Sequence, residues 1–397
     1  MSELPYIFSF FAGAGFLDLG FESSGFNIVY VNEIFPPFTH AYQYSRQCLN
    51  LPLPEYGYHT GEEGDITQLI SGRSAIQLRE LLQDCRRYTN IIGFIGGPPC
   101  PDFSIGGKNR GQEGEHGRLS SSYIEVICQQ QPDFFLFENV KGLWKTKKHR
   151  LFFETLKQQL IETGYVLSER LINAIEYGVP QDRDRIILIG FQRNLLTNLG
   201  LTLDKSGLLP ENLFPWEKHI IHSKDRVFAC SWSLTSPFQE NSVLPCPQDT
   251  LQELTVEYWF RKNDVLNHLN TDHYFQPRAG LKRFTVIDEG DDSKKSFKRL
   301  HRWRYSPTAC YGNNEVHLHP YKIRRISVAE ALAIQSLPED FVLPPNMSLT
   351  NMFKTIGNGV PYLASKAIAQ TIIDFLQTEK LYYKQLNSQQ LNMPLIF

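Results

Sequence analysis

No stretch of this chain approaches the ~20 consecutive apolar residues that a membrane span requires. The first residues lack the positive charge of an export signal. Glu3 stands there instead, and Gly13, Gly15 and Asp18 interrupt the apolar run that follows. Cysteine is sparse: seven residues, an odd number with no close-spaced repeat, which excludes a disulfide framework or a zinc module. Excess charge of either sign is also missing. At a net −2, no global field draws the protein to a polyanion, so a nucleic-acid site has to be a local basic surface. Internal repeats and low-complexity tracts are absent. A reducing cytoplasm is the expected setting, and it suits a free, reactive thiol. What remains is 397 residues, 42% hydrophobic and 13% aromatic, enough for a large core and, by length, two domains.

The stretch IIGFIGGPPCPDFS, residues 91–104, organises the rest. The apolar, β-branched residues Ile91, Ile92, Phe94 and Ile95 break into Gly96-Gly97-Pro98-Pro99-Cys100, a buried strand ending in a stiff turn. Two prolines in succession fix φ and restrict the residue before each, so the Cys100 thiol is held in one place. Open parallel α/β sheets collect ligands outside the carboxyl ends of their strands, where this thiol falls. A cysteine merely buried in a βα loop is the plain alternative for this segment taken alone.

Other segments repeat the pattern of strand, turn and chemistry. Residues 6–22 read as a short strand, a Gly13-Ala14-Gly15 turn and an amphipathic helix. A strand at 27–31 ends in Asn32-Glu33, where an acidic side chain can take a ribose, and Asp65 either accepts from an adenine amino group or caps a helix. Residues 105–122 carry five glycines with Lys108, Arg110 and Arg118, a lid poised to close over a substrate and its phosphates. A buried strand at 134–137 ends in Glu138-Asn139-Val140, a carboxylate placed for a raised pKa. Strands are expected at 165–175 and 186–190, with Arg183 and Arg185 entering the second, either ion-paired with Asp182 and Asp184 or aimed at a planar ligand. From 194 to 310 the βα rhythm fails. Within that segment KKSFKRLHRWR, residues 294–304, has six Lys/Arg, no acid and interleaved aromatics, which suits phosphate contact or a charged surface helix. The chain then regains α/β character, with a capping box at Ser327 and Glu330, a tight turn at Gly357-Asn358-Gly359, and an apolar helix over 362–375.

Taken together and in order, Phe11-Ala12-Gly13-Ala14-Gly15, Glu33, Asp65, Pro99-Cys100, Glu138-Asn139-Val140, Gln181-Asp182-Arg183-Asp184-Arg185, Arg325 with Glu330, and Gly357-Asn358-Gly359 resemble the cytosine-C5 DNA methyltransferases of bacterial restriction-modification systems. The match covers 6–190 and 305–375. The resemblance implies an α/β, Rossmann-like S-adenosylmethionine-dependent methyltransferase domain over 1–193, a smaller irregular target-recognition domain over 194–310, and a segment over 311–397 that returns to the first domain. It implies a thiolate at Cys100 adding to C6 of a cytosine flipped out of duplex DNA, Glu138 at N3, Arg185 at O2 and Arg183 assisting the site or the backbone. It places S-adenosylmethionine against Phe11, Ala12, Gly13, Gly15, Glu33, Ile34, Asp65, Ile66, Pro99 and Asn358. DNA contacts are expected at Ser104, Lys108, Arg110, Lys294, Lys295, Lys298 and Arg299. A monomer, a short palindromic target and a cognate restriction endonuclease complete the picture.

Three positions depart from the family pattern: Ser9 where an acidic residue is usual, Phe16 where glycine is frequent, and Pro101 where glutamine is frequent. None removes a reacting group. Two alternatives stay open at this level, a tRNA cytosine methyltransferase of the same family and a non-catalytic DNA-binding relative. The long 194–310 segment favours DNA over tRNA. The intact Cys100, Glu138 and Arg185 favour an enzyme.

Overall fold

The computed structural model describes residues 4–99, 115–277, 281–294, 296–309, 311 and 316–390. Seven strands form one sheet: β1 (Tyr6–Phe10), β2 (Asn27–Asn32), β3 (Tyr56–Gly57), β4 (Ile92–Gly96), β5 (Phe134–Val140), β6 (Tyr165–Asn173) and β7 (Asp184–Gln192). Their order is β3-β2-β1-β4-β5-β7-β6, so the winding reverses between β1 and β4. All neighbours pair in parallel except β7, which runs antiparallel to both β5 and β6. This is the Rossmann-like methyltransferase sheet that the sequence led us to expect.

Side chains alternate across the sheet with a period of two, and both faces are covered. Ile7, Ile95, Phe134, Leu136 and Ile189 face one layer; Phe8, Phe10, Phe94, Phe135, Phe137 and Leu188 face the other. The first layer is closed by α1 (Phe16–Glu22) and, from the far end of the chain, Ile368, Ile372 and Phe375. Leu78, Ile124, Ile127 and Phe153 close the second. Each large apolar side chain buried here contributes about 1.5–3 kcal/mol against chain entropy.

Local structure departs from expectation in three places. The strand expected over 165–175 ends at Asn173, because Asn173 and Glu176 form a capping box that turns Ala174–Tyr177 into a 3-10 helix. Gly357 and Asn358 complete a helix, α2 (Leu349–Asn358), and the turn is confined to the residues after it. The helix that begins at Tyr362, α3, continues to Gln390. At Ser327 the expected capping box is present: Ser327 Oγ accepts from Glu330 N at 3.3 Å, and Glu330 Oε2 accepts from Ser327 N at 2.7 Å.

Residues 194–216 still pack on the sheet, with Leu196, Leu199, Leu209, Phe214 and Trp216 in its first layer. Residues 223–325 have only short helices, and their buried apolar side chains (Val256, Trp259, Phe260, Leu300, Val316) join one core with Ile326, Leu332, Phe353 and Ile356. The late segment therefore packs against the irregular one as well as against α1.

Candidate active site and cofactor cleft

Phe10 is paired with Asn32 on β2 and Gly96 on β4, and Gly96 with Phe137 on β5. One residue beyond each lie Glu33, Phe11, Gly97 and Glu138, side by side at the carboxyl edge of four strands. Because β7 runs antiparallel, its first residues reach this edge too, and Val140 is paired with Arg185.

On the β5 side, Glu138 is 6% exposed and Arg185 Nε lies 2.8 Å from its Oε1. Burial pushes the Glu138 carboxyl above its ordinary pKa, and the guanidiniums of Arg185 and Arg183 pull it part of the way back. Glu138 sits so close to the neighbouring strand end that a Cβ on Gly97 would meet its Oε2 at 2.7 Å. Only glycine leaves that space. Asn139 Nδ2 donates to Pro98 O at 3.4 Å, tying the end of β5 to the diproline turn. Cys100 lies outside the described residues, as do Ser104, Lys108, Arg110 and Lys295.

On the β1 side, the turn after the first strand is built from left-handed backbone at Phe11 (φ 54°), Gly13 (φ 58°) and Gly15 (φ 85°). A non-glycine residue in that region is strained and marks a constrained turn. Phe11 stands edge-on to Tyr123, with ring centroids 5.9 Å apart. Glu33 is buried and locks the turn: Gly13 N donates to its Oε2 and Phe35 N to its Oε1, both at 2.9 Å. Burial raises the Glu33 pKa, and these two N–H groups oppose the rise. Ile34 beside it is an exposed apolar side chain, 47% accessible. Asp65 is half-buried and caps the next turn, accepting from Thr67 N at 2.9 Å. Ile66 turns its side chain into the second core layer, so only its backbone is left to a ligand. Pro99 is half-buried between the two sides.

The unusual Ser9 and Phe16 acquire partners. Ser9 Oγ donates to Asp18 Oδ1 at 2.6 Å, and Tyr42 OH donates to Oδ2 at 2.9 Å, so the carboxylate missing from β1 is supplied from α1. Phe16 packs edge-on to Phe341 at 5.1 Å, and a Cβ on Gly359 would strike its ring at 2.2 Å. The Gly357-Asn358-Gly359 end of α2 is thus pressed onto the start of α1, with Asn358 between the two glycines exposed.

The arginines take the following places, and one expectation, that for Arg299, is corrected. Arg183 is 1% exposed and takes the backbone role: its guanidinium donates to the carbonyls of Ala309 (3.1 Å), Gly357 (2.8 Å) and Gly359 (3.0 Å). Arg299, expected on DNA phosphate, is also 1% exposed. It donates to the carbonyls of Ile287 (2.8 Å), Phe284, His319 and Lys322 and stacks over Phe238. Within the same basic run Arg302 and Trp303 are buried, Lys294 is exposed and Lys298 half-buried, with no helix across them. Of the two arginines before the capping box, Arg324 holds Glu330 (2.7 and 2.8 Å) and Arg325 lies over Phe275 and Phe297.

Two residues to which the sequence assigned no role, Gln181 of the quoted motif and Gln335, do much of the positioning. Gln181 Oε1 accepts from Ala309 N at 3.1 Å and Gln335 Nε2 donates to Ile356 O at 2.6 Å, while the two amides meet at 3.4 Å. A polar residue flanked by structural arginines was the available signal for Gln181. None existed for Gln335.

A family model for C-5 cytosine-specific DNA methylase matches residues 6–374. The chain is 56% identical over 371 residues to the Type II methyltransferase M.NmeDI of Neisseria meningitidis serogroup C, covering 94% of this chain and 84% of the relative. It is 30% identical to the Type II methyltransferase M.XorII of Xanthomonas oryzae pv. oryzae, covering 94% and 85%. An E. coli prophage protein assigned as a DNA modification methyltransferase shares the fold, with a TM-score of 0.61 at 21% identity over 94% of this chain and 99% of that one. The chain belongs to the C-5 cytosine-specific DNA methylase family and is a type II DNA (cytosine-5) methyltransferase.

Proposed function

We propose that this enzyme takes its methyl group from S-adenosylmethionine and delivers it to a cytosine flipped out of duplex DNA, through a covalent bond between Cys100 and C6. The residues at the β1 and β2 ends fit that donor. Buried Glu33 offers carboxylate oxygens to ribose hydroxyls, Ile34 an exposed apolar face to an adenine, Asp65 an acceptor to its amino group, and the left-handed Phe11–Gly15 turn a close backbone approach. When bound, S-adenosylmethionine supplies an electrophilic methyl on a sulfonium.

The chain's own residues supply the rest. The Cys100 thiolate adds to C6, and the electrons of the C5–C6 double bond move into the ring. Glu138, whose pKa burial raises, donates to N3 in its protonated form, and Arg185 donates to O2, so the ring gains nucleophilic character at C5 without carrying free negative charge. After methylation a base removes the C5 proton, the C6–S bond breaks to restore the double bond, and the N3 proton returns to Glu138. Lys294 and Lys298, with Ser104, Lys108 and Arg110 of the glycine-rich segment, are assigned to DNA phosphates. Recognition of the target falls to the irregular 194–310 segment. We further assign the protein a cognate restriction endonuclease, a monomeric state and a cytoplasmic location.

The observation that carries this reading is the raised, Arg185-paired Glu138 one strand from the diproline turn that leads to Cys100. Bisulfite sequencing of a mixed-sequence duplex incubated with enzyme and S-adenosylmethionine tests it, with Cys100→Ser as control. Protected cytosines confined to one short sequence, and absent with the variant, are expected. Protection of tRNA alone would replace the duplex substrate.

A further inference from the structure

The buried guanidinium of Arg183 has a job that the expected role at the base does not explain. Its charge faces Glu138. Its donors go elsewhere, to Gly357 O and Gly359 O on either side of Asn358, and to Ala309 O at the end of the irregular segment. The clamped turn is itself wedged on the cofactor side: Gly359 lies against the Phe16 ring, and Thr355 Oγ1 would be 3.6 Å from a Cβ on Gly13. Gln181 and Gln335 extend the clamp to Ala309 N and Ile356 O. Carbonyls that accept from a buried guanidinium are fixed more firmly than a solvated turn, because each such bond is charge-assisted and has no water to replace it.

We propose that Arg183 is a positioning residue for the cofactor: from the residue before β7 it holds the Gly357–Gly359 end of α2 so that Asn358 reaches the donor bound over Gly13. One guanidinium thereby joins the base side of the site to the cofactor side. Lysine in its place keeps a positive charge near Glu138 but lacks the planar fork, whose Nη2 holds both Gly357 O and Gly359 O while Nη1 holds Ala309 O.

The inference rests on the S-adenosylmethionine reading, and its test separates the two. Calorimetry on the full chain measures S-adenosylmethionine binding to the wild type, Arg183→Lys, Asn358→Ala and the double variant, and steady-state assays give kcat and both KM values. Each single change is expected to weaken cofactor binding about tenfold or more. Arg183→Lys should raise the cofactor KM while kcat at saturating cofactor stays near wild type. In the Asn358→Ala background, Arg183→Lys should add little, because both act through one contact. Should Arg183→Lys fail to fold, Gly359→Ala displaces the same turn from the Phe16 side and is expected to raise the cofactor KM in the same way. Wild-type cofactor affinity with a depressed kcat in Arg183→Lys, or fully additive losses in the double variant, would overturn the proposal. No binding to the wild-type enzyme would instead overturn the cofactor reading on which it rests.

Discussion

Arg185 and Glu138 meet across two antiparallel strands, Nε to Oε1 at 2.8 Å, at the edge where β5 ends and β7 begins. Neither is placed by its own strand alone. The pairing of Val140 with Arg185 sets Glu138 as the diagonal neighbour on the same face. In this buried position a carboxyl keeps its proton above the ordinary glutamate range, and the guanidinium limits how far above.

That balance predicts a pH dependence. If protonated Glu138 donates to N3, kcat falls as pH rises through its elevated pKa, so the loss lies on the alkaline side. Glu138→Gln should remove this limb and lower kcat by roughly 10²–10³-fold. An unchanged alkaline limb in the variant would assign it to another group.

Gly97 is predicted to be intolerant of even one methyl group. A Cβ there reaches Glu138 Oε2 at 2.7 Å, so the carboxylate has to leave its position against Arg185. Gly97→Ala should cost about 1–3 kcal/mol of stability in urea titrations and reduce kcat by at least tenfold. Retention of wild-type kcat would show that Glu138 is free to adjust.

Asp18 gives a stability signature of unusual sign. Burial raises its pKa to about 6, against the lowering effect of its bonds from Ser9 and Tyr42. A group with a raised folded-state pKa contributes stability that is complete below its unfolded value near 3.8 and is lost as pH rises through about 6. Asp18→Asn, which stays neutral, should flatten the change in unfolding free energy between pH 5 and 7.5. Denaturant titrations at the two pH values compare the slopes; identical slopes for variant and wild type would exclude Asp18 as the source.

Opposite fates are expected within the basic run. Neutralising exposed Lys294 and half-buried Lys298 should make the salt dependence of duplex binding shallower, by about one unit of slope for each phosphate left without its cation. Arg299→Met should leave that slope unchanged and lower stability by about 1–3 kcal/mol, since buried carbonyls are deprived of their donor. A shallower slope with Arg299→Met would return that side chain to the DNA.

Trapping tests the covalent step directly. Duplex DNA with 5-fluorocytosine at the target, incubated with S-adenosylmethionine, should form a denaturation-resistant adduct, because after methylation fluorine at C5 cannot leave as the proton does. Gel mobility under denaturing conditions reads it out. An adduct with Cys100→Ser would assign the nucleophile elsewhere.

Much of this was legible in the chain because the relevant signals are local. An apolar run that stops at Gly, Pro or an acid marks a strand end, and Glu33, Glu138 and the residue 11–15 turn were placed by that rule. So was the Ser327–Glu330 capping box, whose two partners are three residues apart. The fate of Arg183 and Arg299 was not legible. Their acceptors lie up to 176 residues away in the chain, and a basic side chain has the same local pattern whether it faces phosphate or a ring of buried carbonyls. The choice of Arg324 over Arg325 for Glu330 was hidden for a related reason: adjacent residues differ only in which face the surrounding core leaves them.

The sequence by itself determined the strand ends, the chemistry gathered there and the family, since each depends on residue type and near-neighbour spacing. Tertiary structure alone decided that β7 enters antiparallel and so carries Arg185 to the edge where Glu138 lies. It also decided which cations stay in water. Strand direction and burial are settled by contacts between segments far apart in the chain, and no local pattern encodes them.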